Sequence, residues 1–217
     1  MANSNSNLIC TSIPSPYRTQ HTSRKIYTIT IHTMSGNLSI ESCGKLFQKK
    51  GKNASSNYGI GTDGRIALYV DEKDASWCSS NTPNDERAIT IEVANDGGKS
   101  TGWHISDTAL NALISLLTDI CIRNNISKLL WENDKSLIGN VSKQNLTLHR
   151  WFANKSCPGD YVVSILPKIV ESVNGRIKVK TTKLYRVQVG AYKSKENAIK
   201  MQEKLKKLGI PSIIKEC

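Results

Sequence analysis

Six consecutive residues, Ile26-Tyr27-Thr28-Ile29-Thr30-Ile31, are all β-branched or aromatic. Branching at Cβ stiffens χ1 and favours a pleated backbone, so the run predicts a buried strand, and it ends on His32. Ala88-Ile89-Thr90-Ile91-Glu92-Val93 predicts another strand, with Glu92 an acid near the end of an otherwise apolar run. Tyr58-Gly59-Ile60 and Arg65 to Val70 flank Thr62-Asp63-Gly64, a hairpin signal. Helix signals lie between the strands. Ser39 can cap a short helix carrying Ile40, Cys43, Leu46 and Phe47, which Gly51 would end. Ser106 and Asp107 can cap a long helix to about Arg123, with Leu110, Leu113, Ile114, Leu117 and Cys121 on one face. Lys128 to Trp131 reads as a further short strand, and the first 25 residues, rich in Ser, Asn, Thr and Pro, as an irregular arm. The expected class is α/β, a mixed central β-sheet flanked by helices.

The 217 residues suit one medium domain plus a small appendage. Charge marks the division. Residues 1–162 hold 17 Lys/Arg against 14 Asp/Glu, and residues 163–217 hold 13 against 4, so +9 of the net +12 falls in the last quarter. A basic module of this kind meets an anionic partner, and nucleic acid, membrane surface and anionic wall polymer all qualify on charge alone. Residues 163–182 read as a linker with a strand near Ile177 to Lys180. In the tail, Tyr185 to Val189 alternates as a strand. Ser194 caps a helix striped by Ala198, Met201, Leu205 and Leu208, Gly209 stops it, and Ile210 to Ile214 forms a second strand, giving a βαβ unit over 183–217. No apolar stretch reaches eighteen residues, so no membrane span is expected, and no secretory signal is readable at the start. Six scattered cysteines in such a chain favour reduced thiols or metal ligation over a disulfide framework.

Four histidines exist: His21, His32, His104 and His149. His149 and Cys157 are eight residues apart, ahead of a Cys-Pro-Gly turn. Two imidazoles and one thiolate would leave zinc a fourth position for water, as catalytic sites do. On spacing alone, the bland reading is favoured over ligation: His32 as a satisfied strand-end residue and Cys157 as a small buried hydrophobe.

From about Ile26 to Tyr161 the chain resembles the type 2 N-acetylmuramoyl-L-alanine amidases, the family of the amidase-type phage lysozymes and the peptidoglycan recognition proteins. The resemblance lies in the order of Ile29-Thr30-Ile31-His32-Thr33, Asn57-Tyr58-Gly59-Ile60-Gly61-Thr62-Asp63-Gly64, Ala75-Ser76-Trp77, Ile89-Thr90-Ile91-Glu92, the long helix, and His149 followed by Cys157-Pro158-Gly159. It implies a zinc amidase fold over 1–162, with one Zn2+ per chain held by His32, His149 and Cys157. It also implies an active-site tyrosine at Tyr58 and a lysine at Lys155, each able to donate to the oxyanion of a tetrahedral intermediate or to assist proton transfer. Glu92 could act as base or as a partner of the ligands, and Trp77 matches a groove tryptophan. That tryptophan is followed in the family by His-Ala-Gly, where this chain has Cys78-Ser79-Ser80.

Leu184-Tyr185-Arg186-Val187-Gln188-Val189-Gly190-Ala191-Tyr192 and the helix after it are similar to the sporulation-related (SPOR) repeat. This resemblance implies binding to peptidoglycan glycan strands, with Gln188 and Tyr192 as contacts. About 35 residues remain where the family's domain holds two such repeats, so a homodimer through paired half-domains is expected. The combined expectation is a peptidoglycan hydrolase cutting between N-acetylmuramic acid and L-alanine, with a basic tail on the anionic wall. Its expected setting is a phage endolysin of a Gram-positive host, made in the host cytoplasm and acting on the wall after release. A non-catalytic peptidoglycan-recognition protein is the alternative. Nucleic acid is not an expected partner, because the tail strand lacks the paired aromatics and signature of an RNA-recognition sheet.

Overall fold

The computed structural model describes residues 4–181 and 188–215, with side chains described through 177 and again from 188. The chain forms two compact units, Met1–Lys180 and Thr181–Cys217. In order, the elements are β1 (Thr11–Ser12), β2 (Arg18–Thr19), β3 (Thr28–Thr33), α1 (Ile40–Gln48), β4 (Tyr58–Ile60), β5 (Ile66–Leu68), β6 (Ala75–Ser76), α2 (Thr82–Asp85), β7 (Ala88–Val93), α3 (Asp107–Arg123), β8 (Leu146–Leu148), α4 (Asp160–Thr181) and α5 (Lys195–Lys207). Six strands form a mixed sheet ordered β1-β5-β4-β7-β3-β8, and β2 pairs with β6. The predicted hairpin is the antiparallel β4–β5 pair, whereas β4, β7, β3 and β8 run parallel. Ser39 and Ser106 cap α1 and α3, their hydroxyls accepting from Ser42 N and Ala109 N.

Register explains how one sheet carries both a core and a polar site. Ile31 sits opposite Ile91 and Leu148, and Tyr58 opposite Ile91. Side chains alternate along a strand, so these residues share one face, and that face packs with α3 and α4 in the main core. The other face carries Thr30 and His32 opposite Thr90 and Glu92. It is buried too, and its hydroxyls find partners there. Thr30 Oγ1 lies 2.8 Å from Thr147 Oγ1, Asn84 Nδ2 donates to Thr30 Oγ1 at 2.9 Å, and the Ser76 and Thr90 hydroxyls are 2.6 Å apart. Buried hydroxyls without such bonds would cost stability. Gly59, beside Glu92 in the register, admits no side chain, because a Cβ there would run into the Tyr69 ring.

Three expectations are corrected. The arm, expected to be irregular, joins the sheet over its described residues: β1 extends the sheet beside β5, Ser6 N donates to the Tyr58 hydroxyl, and Asn5 bonds both Asp71 and the backbone of Glu72. Short polar side chains, which read as loop, here satisfy backbone groups along the sheet edge. Lys128 to Trp131 forms no ladder, because Asn145 bonds the Leu130 N–H with its side-chain oxygen and the Leu130 carbonyl with its own N–H. Residues 163–181 are helix, where a linker and strand were expected. Val162, Leu166, Ile169, Val173 and Ile177 recur at helical spacing and are buried. Pro167 lies on the exposed side of α4, where water can hydrate the carbonyl it frees. Asn174 brackets the backbone of Leu129 with both ends of its amide.

In the second unit α5 forms as expected and Gly209 follows it at φ +73°. Most of the strand expected at Tyr185 to Val189 lies outside the described residues. Ile210 to Ile214 pairs with no strand among the described residues, Gln202 Nε2 instead bonding the Ser212 carbonyl at 2.9 Å. Among the described residues no helix is long and apolar enough to cross a membrane.

One buried ion pair ties the arm, the sheet and α3 together. Glu72 is fully buried, bonded to Arg123 through both carboxylate oxygens at 2.6 and 2.9 Å and to the Tyr58 hydroxyl at 2.6 Å. Arg123→Ala leaves this carboxylate short of its counter-charge. The variant is expected to lose about 3 kcal/mol, read as a lower urea midpoint.

Candidate metal centre and cleft

Glu92, His32 and His149 stand side by side at the carboxyl ends of parallel strands. His32 and Glu92 are register partners, and His149 follows directly after Leu148, the partner of Ile31. The His32 and His149 rings lie 4.9 Å apart between centroids. Cys157 arrives from a different part of the chain. Its Sγ accepts from Thr33 N at 3.4 Å and lies 3.5 Å from His32 Nδ1, while the Thr33 hydroxyl donates to the Pro158 carbonyl. Gly159 makes that turn fit. It has φ +94°, and a Cβ there would strike the Gly102 carbonyl and Trp103.

One donor atom from each of His32, His149 and Cys157 lies within 4.8 Å of the other two. His32 Nε2 and Glu92 Oε2 are buried with no hydrogen-bond partner among the described residues. Such atoms are costly unless something binds them. Burial, reinforced by the neighbouring His149, holds the His32 imidazole well below its ordinary pKa. Burial and the Lys155 charge lower that of His149 as well. Both rings are therefore neutral and have lone pairs to donate. Burial, with Glu92 nearby, pushes the Cys157 thiol up, and burial raises the Glu92 carboxyl to about 7 against the opposing pull of Lys52. A divalent cation would supply the missing countercharge and favour the thiolate. Two neutral imidazoles and a thiol suit zinc, so the donor set fits that ion.

A cleft of about 530 Å³ opens over this centre, and Glu92, His149, Cys157, Lys155 and Trp77 all line it. Trp77 follows β6, is 42% exposed and donates from Nε1 to Thr19 on the arm, with Tyr17 against its ring. Other cleft residues include Lys52 and Trp103, which the sequence did not flag, and Cys78 and Ser80, which it marked only as a departure from the family pattern. Trp103 is a bulky residue held at φ +66°, next to Gly102 at the same φ, a strained conformation kept by the surrounding packing. The Gly97-Gly98 and Gly102 cluster was the available signal for that turn.

Tyr58 is not part of this assembly. It is fully buried on the opposite face of the sheet, donating to Glu72 and accepting from Ser6 N. Parity decides this: Tyr58 registers with Ile91, whereas the site lies over Glu92 and Gly59. Gln188 and Tyr192 belong to the second unit, where both are exposed. His21 and His104 pair with Glu86 and Asp96 away from the centre.

Fold and site define an α/β domain with a donor set for a metal ion at the carboxyl ends of its parallel strands, where open α/β sheets place their ligands. The chain belongs to the N-acetylmuramoyl-L-alanine amidase family, which residues 22–160 match, and residues 169–216 match the SPOR domain. Similar solved structures include a selenomethionine derivative of AmpD, at 18% identity and TM-score 0.57 over 80% of this chain and 98% of that one. A mutant endolysin from Bacillus subtilis is 12% identical, with TM-score 0.56 over 76% and 99%. PlyL is 14% identical, with TM-score 0.52 over 74% and 88%. At these identities the likeness is one of fold. No curated protein matches the sequence.

The placement of Tyr58 yields a clear expectation. Tyr58→Phe should lower stability by about 1–2 kcal/mol, because Glu72 and Ser6 N lose a buried partner, while kcat of the folded variant stays at the wild-type value. Denaturant unfolding and wall-hydrolysis kinetics on the same preparation check both halves.

Proposed function

We propose that this protein is a zinc-dependent hydrolase of peptidoglycan, cutting the amide between the lactyl group of N-acetylmuramic acid and the L-alanine of the stem peptide. The convergence of His32, His149 and Cys157 beside a cleft that also presents Lys155 and Glu92 carries this reading. When bound, zinc supplies Lewis acidity toward the scissile carbonyl and toward water. Lys155, a cation on the cleft wall, donates to the oxyanion as the carbonyl becomes tetrahedral. Glu92, with a pKa raised to about 7, is poised to accept a proton from the attacking water and return it to the departing amine. Trp77 offers its exposed face to the sugar or peptide.

Gln188, Tyr192 and the basic residues of 183–217 would hold the enzyme on glycan strands and anionic wall polymer. The setting we favour is phage-driven lysis of a Gram-positive cell, which the endolysins among the fold relatives support. Purified walls treated with the protein should release free N-terminal alanine, and a chelator or Cys157→Ser should stop the release. Lys155→Ala should lower kcat by about 10²–10³-fold with a smaller change in KM. A protein that only recognised peptidoglycan would bind the walls and release nothing.

The second unit further supports self-association. None of its described residues is buried, and Leu208 and Ile213 are 73% and 84% exposed. Pairing with a second copy would cover this apolar surface. Light scattering should give twice the chain mass at micromolar concentration, and a monomer mass there overturns the pairing.

A further inference from the structure

Cys78 is a cleft residue without a role so far. It directly follows Trp77 and lines the same cavity as His149 and Cys157. Its backbone N–H donates to Asp85 Oδ2 at 3.1 Å, and Asp85 also accepts from the N–H and hydroxyl of Ser79, so the segment bearing the thiol is held firmly. One donor atom from each of Cys78, His32 and Glu92 lies within 4.8 Å of the other two. Two of these side chains carry a buried atom with no partner among the described residues, His32 Nε2 and Glu92 Oε2. Glu92 is not a member of the first donor set.

We propose that the centre has a second, alternative metal position, formed by His32, Cys78 and Glu92. This inference rests on the zinc reading of the first set and extends it. Thiolate, imidazole and carboxylate are all zinc donors. The two sets share His32, and a neutral imidazole has one lone pair, so a single ion occupies one position or the other. Binding at the second position displaces the Cys78 proton to solvent and takes Glu92 as a ligand. The carboxylate is then unable to act as a base. The second position is therefore a resting state of the centre, and its relative occupancy limits the active fraction.

Cadmium is the probe, because its bonds to thiolate give an ultraviolet charge-transfer band and it favours the same soft donors. One equivalent added to the full-length wild-type chain should produce the band. Cys157→Ser should keep a thiolate band at one equivalent, and Cys157→Ser combined with Cys78→Ser should lose it. No band in the wild type overturns the metal-centre reading itself. A band in the wild type but none in Cys157→Ser overturns the second position alone, and a band persisting in the double variant overturns the assignment to Cys78. If Cys157→Ser loses the wild-type far-ultraviolet dichroism, His149→Ala decides, since it removes a donor unique to the first set and keeps every thiol. In that variant one equivalent of cadmium should slow iodoacetamide labelling of Cys78 at least tenfold, read by peptide mass spectrometry. Equal labelling with and without the ion overturns the proposal.

Discussion

The structure turns on the alternation of side chains along three adjacent parallel strands. In β3 and β7 the odd positions 29, 31, 89 and 91 are isoleucine, and the even positions 30, 32, 90 and 92 are Thr, His, Thr and Glu. β8 repeats the pattern with Leu146, Thr147 and Leu148, and His149 follows. One parity packs against α3 and α4, and the other becomes a buried polar surface ending in donors. A slip of one residue in β3 would exchange its faces, burying His32 in hydrocarbon and presenting isoleucine to the cleft. The hydrophobic effect that fixes the register therefore also fixes the site. The two imidazoles need no separate positioning device.

Two carboxylates, Glu72 fully buried and Glu92 half-buried with one oxygen out of solvent, show how burial yields different consequences. Glu72 has Arg123, Asn124 and Tyr58 around it, and it joins the arm to α3. Glu92 keeps one oxygen without a partner, and burial raises its pKa to about 7. A satisfied buried carboxylate fixes the elements it joins, whereas one with an unpartnered oxygen is available to a proton or a cation. Tyr58 follows the same division. Its hydroxyl belongs to the Glu72 network, so despite its place in the recognised sequence order it reaches no reacting group.

Much of this was legible in the sequence. β-branched runs marked β3 and β7, serine caps marked α1 and α3, and the Asp63-Gly64 turn marked the hairpin. His32, His149 and Cys157 could be named together because a resemblance supplied their grouping, and the structure brings them together. Tyr58 was misplaced because order along the chain carries no parity, and one register position separates the core face from the site face. Trp103 and Cys78 went unassigned because each lies in a loop whose path depends on distant contacts: Gly159 against Trp103, and Asp85 beneath Cys78. The helix α4 was hidden by Pro167 and Asn174-Gly175, whose turn propensity is outweighed by five buried apolar residues at helical spacing.

That helix also bears on how the two sequence modules meet. The SPOR match begins at residue 169, yet Ile169, Val173 and Ile177 are core residues of the amidase unit. The segment where the sequence turns basic is therefore, over its first turns, part of the catalytic domain's packing. Its Lys168 and Arg176 sit outside that core, where a charge costs little, while the apolar positions between them complete the α3 side of the sheet. A boundary drawn by charge or by family match cuts through α4, and a boundary drawn by packing falls after it, near residue 180. The packing boundary has the physical content, because ending the chain at residue 168 would remove three buried side chains, Ile169, Val173 and Ile177, from the core behind the sheet that holds His32 and Glu92.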